Sequence, residues 1–305
     1  MKRPSFFLKR TLVQVLAALC TNPFVQNYTT GQVYKGDLKQ ICAPGLNCYS
    51  CPAAALSCPI GALQTAANNM RFDVSFYALG ILFVVGALLG RFVCGFLCVF
   101  GLVQDLLYRI PVPKLSVPAR LDRMMRKLKY AVLVLLVLVL PAVLVDDIGL
   151  SEPLFCEYVC PAGMIEAALP LLAAVEGLRA SAGWQFVWKA ALTIGVLGLA
   201  MSVYRPFCKY LCPLGALYGL FNRFSVLGLR IDRAACTGCG TCTRTCLMDV
   251  DVLADIDSAE CIRCGACKAS CPEGAIAWRV GHGGAASPSS KDRAAEEGAA
   301  DAAAR

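Results

Sequence analysis

Eight cysteines near the C-terminal end carry the clearest chemical signal in this chain of 305 residues. They form two runs of the pattern C-x2-C-x2-C-x3-C, and proline follows the second run. This spacing is typical of chains that wrap two 4Fe–4S clusters, in which the fourth cysteine of each run binds the cluster of the other run. The predicted ligands are Cys236, Cys239, Cys242 and Cys271 for one cluster, and Cys261, Cys264, Cys267 and Cys246 for the other.

Two structural zinc sites are the alternative for these eight cysteines, because C-x2-C pairs also bind zinc. Zinc sites rarely use three evenly spaced cysteines followed by x3-Cys-Pro, so the spacing favours iron–sulfur clusters. The two runs therefore predict iron as the metal and one-electron transfer as the chemistry.

Eleven further cysteines lie upstream: Cys20 lies alone within a predicted span, and the other ten lie in boxes that carry or resemble the phrase Cys-Pro-x-Gly. Proline is favoured at the first position of a helix, so each such cysteine should lie just before a helix begins. The partial positive charge of a helix N-terminus favours a thiolate there. The box cysteines are Cys94 and Cys98, Cys156 and Cys160, Cys208 and Cys212, and the longer group Cys42, Cys48, Cys51 and Cys58.

The elements that must position these boxes are predicted to be membrane helices. With 57% hydrophobic and 16% charged residues, the chain is too apolar for an ordinary soluble protein of this length. Apolar stretches close to the ~20 residues that cross a bilayer precede three of the boxes. The predicted spans are 12–25, 76–93, 130–145 and 186–204. The first is the weakest, and a cleaved signal peptide is its alternative.

Loop charges predict the orientation of these spans. The loop between the second and third spans has eight basic residues, Arg91 and Lys129 among them, against two acidic ones, whereas the next loop is acidic. The positive-inside rule places the basic loop and both termini in the cytoplasm. Cys94, Cys98, Cys208 and Cys212 would then collect at the inner face, and the other six box cysteines outside. Because topology explains the net charge of +8, no nucleic-acid partner is expected.

The sequence leaves the use of both cysteine groups open. The inner four fit a shared iron–sulfur cluster, a structural role without metal, or thiol redox chemistry. The outer six fit one cluster plus a cysteine pair, or up to three disulfides. Cys48 and Cys51 also have the spacing of a redox-active pair.

Some chemistry lacks the residues to perform it. The only histidine is His282, in the predicted tail, so no haem is expected within the spans. No nucleotide-binding fingerprint is present, which disfavours direct nicotinamide chemistry. A bilayer core of ~30 Å would separate the inner from the outer cysteines. Electrons crossing it would need a quinone, more deeply buried clusters or a partner subunit.

Cys-x3-Cys-Pro boxes after apolar spans, followed by the double run, resemble the membrane-bound polyferredoxin family over residues 76–278. That family includes accessory proteins of periplasmic nitrate and nitrous-oxide reductases and of cytochrome oxidase assembly. The resemblance implies a bacterial inner-membrane protein that moves electrons between the quinone pool or cytoplasmic donors and an exoplasmic acceptor. This chain departs from the family pattern by adding the outer cysteines.

The predicted fold is a mostly α integral membrane protein with about four transmembrane helices and a small α+β ferredoxin domain. The expected division is a basic segment and first helix over 1–28, an exoplasmic cysteine-rich loop over 29–71, a three-helix membrane region over 72–225, a two-cluster ferredoxin domain over 226–280 and a disordered tail over 281–305.

The predicted function is iron–sulfur electron transfer through the membrane, as a component of an oxidoreductase system rather than a self-contained enzyme. Two 4Fe–4S clusters are expected, with one or two more at the boxes. The expected partners are the membrane, redox proteins and a quinone. One alternative is a thiol–disulfide or metal-ion reductant exporter that acts through the outer cysteines. Another is an iron–sulfur redox sensor or assembly scaffold.

Overall fold

A computed structural model describes residues 4–68, 76–144, 152–179 and 183–281, which are mostly helical. The longer helices are Pro4–Thr21, Pro59–Asn68, Phe76–Leu89, Val99–Leu107, Trp184–Ser202 and Pro213–Phe221. One continuous helical stretch consists of Leu128–Val132, the π-helical Leu133–Val139 and Leu140–Val143. A second consists of Pro161–Gly163, the π-helical Met164–Ala168 and Leu169–Ala174.

Short helices connect these elements. They are Asn27–Thr30, the 3-10 turn Asp37–Gln40, Phe92–Phe96, Ala119–Met125, the π-helical Phe155–Val159, Glu176–Arg179, Pro206–Tyr210, Thr241–Thr245 and Ala266–Ser270. The two described strands are β1, Leu227–Ile231, and β2, Ile276–Val280. The predicted tail beyond Gly281, with His282, lies outside the described residues.

Helices occupy all four predicted spans, with shifted ends. The first helix covers Pro4–Thr21 rather than 12–25, because Asn22 and Pro23 follow its last residue. The second ends at Leu89, since Gly90 turns the chain with a positive φ of 54°. Among the described helices, only Trp184–Ser202 is both long and apolar enough to cross a membrane. The prediction of four crossings therefore stays a prediction.

The C-terminal region is the small α+β unit that the double cysteine run predicts. β1 and β2 are antiparallel, and Leu229 is paired with Trp278. The two short helices follow Gly240 and Gly265, each in the left-handed region, and each helix ends at the fourth cysteine of its run. Leu229, Val252 and Ile276 form a core with Cys242 and Cys267. The two cysteine runs thus adopt the same local conformation.

This unit is packed firmly onto the helices. Arg263 is buried and donates hydrogen bonds to the carbonyl oxygens of Leu89, Leu227 and Asn222. The Asn222 side chain donates to the carbonyl oxygens of Ser258 (2.8 Å) and Cys261 (2.7 Å). One hydrophobic core contains residues of the 42–58 segment, of the helices and of the ferredoxin unit. A single core of this kind holds the cysteine groups at fixed separations.

Several charges that indicated orientation in the sequence are buried in ion pairs. Asp105 binds both Arg205 (2.7 Å) and Arg10, and Glu260 binds Arg91 (3.1 Å) and Lys129. Burial opposes ionisation of Asp105, but the two arginines outweigh it and lower the pKa of this carboxyl to about 2. The basic members of these pairs are therefore buried in the core and do not lie in exposed loops. The cytoplasmic assignment of both termini stays a prediction.

Candidate functional site

Two cavities in the ferredoxin unit are each lined by four cysteines, drawn from both runs. Cys246, Cys261, Cys264 and Cys267 surround one cavity, and Cys236, Cys239, Cys242 and Cys271 surround the other. Each cavity thus takes three thiols from one run and the fourth from the other. The structure brings together the same two sets that the spacing predicts.

The four thiols of each set line a cavity and do not come together around a single point. Zinc requires ligands at about 2.3 Å from a single ion. In the part of the chain that the structure describes, no three His, Cys, Asp or Glu side chains are gathered closely enough to hold one metal ion. Four thiols around an apolar cavity are the donor set of an iron–sulfur cluster. The residues present therefore fit that cofactor.

The Cys-Pro-x-Gly phrase has a specific local geometry. Cys98 and Cys212 both have extended backbones before a helix, and their Sγ atoms accept from the N–H of Gly101 (3.4 Å) and Gly215 (3.3 Å). Cys58 and Cys160 likewise stand directly before a helix that contains the box glycine, Gly61 or Gly163. The helix after Cys98 begins at Val99 without the usual proline. The box therefore needs the cysteine and the glycine more than the proline.

Cys94, Cys98, Cys208 and Cys212 form one buried group, here called the inner site. Each is at most 7% exposed, and each thiol lies within electrostatic range of the other three. Burial and this mutual repulsion raise the pKa of Cys98, Cys208 and Cys212. Four buried thiols are stabilised as thiolates only when a metal centre compensates their charge.

Two arginines connect the two cysteine boxes of the inner site. Arg91 donates to the carbonyl oxygen of Cys208 (3.0 Å), and Arg205 donates to the carbonyl oxygen of Cys94. Arg205 holds a left-handed φ of 47°, a strained conformation that its buried contacts maintain. Gln104 completes the site by donating to Cys208 Sγ (3.0 Å) and accepting from the N–H of Phe207 (3.2 Å).

The sequence interpretation missed these arginines as parts of the site and counted them as loop charges. A signal was present, because both inner boxes read R-x2-C-x3-C-x2-G, from Arg91 to Gly101 and from Arg205 to Gly215. The Cys156 box has Pro153 at the equivalent position. The shared arginine thus distinguishes the two boxes that pair with each other.

The outer cysteines surround a larger cavity of about 920 Å³. Its lining includes five of the six predicted residues, Cys42, Cys48, Cys58, Cys156 and Cys160. Cys51 instead packs against Ala53 and Ala54, where its Sγ lies 3.2 Å from the Tyr28 hydroxyl. All nineteen cysteines of the chain are free thiols in the structure. Five outer cysteines therefore share one site and Cys51 lies beside it.

Glu166 is a buried carboxyl beside the backbone of Cys48, and it is not among the residues that line the cavity. Its Oε2 accepts from the N–H of Cys48 (2.7 Å), and its Oε1 has no hydrogen-bond partner. Burial raises the pKa of Glu166 to about 7, and the Cys48 hydrogen bond acts in the opposite direction.

The outer group and the inner site are in contact, so the expectation of a bilayer-thick gap between them is wrong. A Cβ added to Gly45 would lie 2.8 Å from Cys98 Cα, so only glycine permits this approach. The next two backbone N–H groups lie near different sites: that of Leu46 is near the Cys98 thiol, and that of Asn47 is near the Cys58 thiol. The 42–58 segment folds back against the inner site, which the hydropathy pattern did not predict.

The inner site also touches the ferredoxin unit. A Cβ on Gly95 would collide with the carbonyl oxygen of Ile262 and lie 3.9 Å from Cys264 Cα. Arg10 and Tyr204 line the cavity of Cys264 and also contact each other. Four cysteine sites therefore form a contiguous series from the ferredoxin unit to the outer cavity.

Comparison with known families supports the cofactor that the cysteines suggest. A family described as a 4Fe–4S binding domain matches residues 74–118, 130–169 and 186–231, and another with the same description matches residues 254–277. Each of the first three segments contains one Cys-x3-Cys box. The segment with Cys42 to Cys58 lies outside these matches.

Curated relatives cover large parts of the chain. An uncharacterised protein of Methanocaldococcus jannaschii is 30% identical over 65% of this chain and 68% of its own length. The methylamine utilization ferredoxin-type protein MauN of Paracoccus denitrificans is 33% identical over 53% of each chain. The ferredoxin-type protein NapH of Haemophilus influenzae is 27% identical over 79% of this chain and 74% of NapH. No solved structure is significantly similar to the chain.

Proposed function

This chain belongs to the polyferredoxin-like family of 4Fe–4S proteins, and on that premise we propose that it is a membrane-bound electron relay. Electrons would pass one at a time between cytoplasmic or quinone donors and an acceptor on the opposite face. The 4Fe–4S binding domains and the ferredoxin-type relatives support iron–sulfur electron transfer. Topology, direction and the number of clusters belong to the proposal.

The observation that carries the proposal is the contact between successive cysteine sites. Cys264 and Cys94 flank the contact between Ile262 and Gly95, and Cys98 contacts the loop that leads to Cys58. Bound clusters would supply one-electron redox capacity at each site. An unbroken series of such sites would let electrons cross the protein without a separate carrier between the inner and outer groups.

The membrane assignment draws support from the surface of the helices. Leu8, Leu12, Leu16 and Leu19 are exposed along one face of the first helix. Large apolar side chains are likewise exposed on the helices near residues 76–89, 128–143 and 184–202. Contiguous apolar surface of this extent is typical of contact with lipid. The four helices would place this surface in the bilayer.

In the inner site, Cys94, Cys98, Cys208 and Cys212 would hold one cluster. Their thiolates and a 4Fe–4S core together carry about two negative charges when oxidised. Two groups of charged side chains lie nearby. In one, Arg91 and Lys129 both pair with Glu260, and in the other, Arg10 and Arg205 both pair with Asp105. Each group therefore has two positive charges and one negative charge. An anionic cluster would offset this excess.

Iron analysis of the full-length protein tests the inner site. We expect the Cys98→Ser/Cys212→Ser double variant, purified anaerobically, to lose about four iron and four sulfide per chain, because one 4Fe–4S cluster would be missing. The matched control is Cys20→Ser, since Cys20 is exposed on the first helix. Unchanged iron in the double variant would contradict the proposal.

A further inference from the structure

The outer cavity joins the Cys156 box, which a 4Fe–4S family match covers, to the 42–58 segment, which no family match covers. The six outer cysteines do not contribute equally. The thiols of Cys48, Cys58, Cys156 and Cys160 each lie within electrostatic range of the other three. Cys42 is within such range of Cys58, and the Cys51 sulfur lies instead 3.2 Å from the Tyr28 hydroxyl. The geometry thus separates four thiols from two.

Close contacts place these four thiols around two helix starts. Cys58 and Cys160 each directly precede a helix, which begins at Pro59 and Pro161 respectively. The remaining two thiols lie across from them: a Cβ on Gly61 would be 4.0 Å from Cys156 Sγ, and one on Gly163 would be 3.6 Å from Cys48 Sγ. Each helix start therefore faces a thiol from the other segment.

An unpartnered polar side chain also points to a ligand. Asn47 is 1% exposed and lines the cavity, yet neither its Oδ1 nor its Nδ2 has a hydrogen-bond partner. A buried amide without partners costs free energy, so native proteins rarely leave one unsatisfied. The Nδ2 group could donate to a sulfide of a bound cluster, as such donors do in iron–sulfur sites. Lys39 and Lys189 line the same cavity and would help to offset negative charge.

Cys42 and Cys51 have different contacts from the four proposed ligands. The backbone of Cys42 forms an isolated parallel bridge with Ser57. Cys51 is fully buried, and the amides of Ala53 and Ala54 and the Tyr28 hydroxyl surround its sulfur. The sulfur of Cys51 and the backbone of Cys42 are thus held by contacts that need no metal.

We propose that Cys48, Cys58, Cys156 and Cys160 bind a further 4Fe–4S cluster, and that Cys42 and Cys51 do not ligate it. This site rests on the proposed function, because it would be the outer end of the same relay. It touches the inner site through Gly45 and the amides of Leu46 and Asn47. Tyr49, beside Cys48, is 57% exposed, so the site lies close to the surface.

Six single variants of the full-length protein test the assignment. Cys48→Ser, Cys58→Ser, Cys156→Ser and Cys160→Ser should each lose about four iron and four sulfide per chain, from about 16 to about 12. Cys42→Ser and Cys51→Ser are the matched controls and should keep all of it. Low-temperature electron paramagnetic resonance of the reduced protein should show one signal missing, with the ferredoxin and inner-site signals retained, which shows that the variants fold.

Three results would overturn this assignment. One is iron loss in Cys42→Ser or Cys51→Ser, and another is full iron content in Cys48→Ser. The third is a disulfide among the four proposed ligands, detected by mass spectrometry after alkylation under denaturing conditions. The inner-site variant Cys98→Ser/Cys212→Ser tests the proposed function separately, so failure of the outer site and failure of the inner site are distinguishable.

Discussion

Arg91 and Arg205 act on the inner site through the backbone and through their charge. Both are fully buried, and each donates to the carbonyl oxygen of a cysteine in the opposite box. Neither guanidinium is hydrogen-bonded to a cysteine Sγ, so these arginines are positioning residues. A buried positive charge beside a redox centre favours the reduced, more negative form. The two arginines should therefore raise the reduction potential of a cluster bound there.

Removing one of these charges should lower that potential. We expect Arg205→Gln to shift the inner-site potential downward by roughly 60 mV, a tenfold change in a one-electron equilibrium constant. The measurement is a redox titration of the signal that disappears in the Cys98→Ser/Cys212→Ser variant. Arg205→Lys should restore much of the potential, because it keeps the charge.

The control for this prediction is Arg223→Gln, which removes the same formal charge from an exposed position. It should leave the inner-site potential within the error of the titration. A potential that is unchanged in Arg205→Gln, in protein with full iron content, would contradict the electrostatic role.

At the scale of elements, the contact between the Phe92–Phe96 helix and the ferredoxin loop depends on a glycine. A Cβ on Gly95 would collide with the Ile262 carbonyl oxygen, which belongs to the backbone and cannot rotate away. Ala or any larger residue must push the two elements apart. Overpacking of this kind typically costs about 1–3 kcal/mol.

Gly95→Ala should therefore destabilise the protein by about 1–3 kcal/mol and weaken the interaction between neighbouring clusters. Thermal unfolding measures the first effect, and the spin coupling between the inner and ferredoxin signals measures the second. Gly198→Ala is the matched control, since nothing lies within 4 Å of its added Cβ. It should be neutral or slightly stabilising, because alanine favours helix more than glycine does. Equal behaviour of the two variants would refute the argument.

Local spacing predicted much of this architecture. The double run predicted the two cysteine sets that now line separate cavities, and apolar stretches predicted helices near all four spans. The contact of Gly45 with Cys98 was not predictable, because no periodicity reports how a polar loop folds back onto a distant box. The π-helical stretch Leu133–Val139 also leaves no pattern in an all-apolar run. Ligation by these cysteines stays a prediction.

At the scale of the whole molecule, charge and hydropathy conveyed less about topology than expected. Arg91, Lys129 and Arg205 are buried in ion pairs, although in the sequence they look like loop charges. The positive-inside rule applies to charges in the loops that flank membrane spans. Charges that are paired in the core therefore do not report orientation. Sidedness therefore needs a measurement on the intact protein.

Sealed proteoliposomes provide a test of the complete relay. With the impermeant reductant dithionite outside, ferricyanide trapped inside and a potassium ionophore present, ferricyanide should bleach only when electrons cross through the protein. We expect bleaching with the unaltered protein and with Cys20→Ser. It should be lost in Cys98→Ser/Cys212→Ser, because that variant breaks the series between Cys264 and Cys58 while leaving the ferredoxin cavities intact. Bleaching that persists at the original rate in this double variant would mean that electrons bypass the inner site.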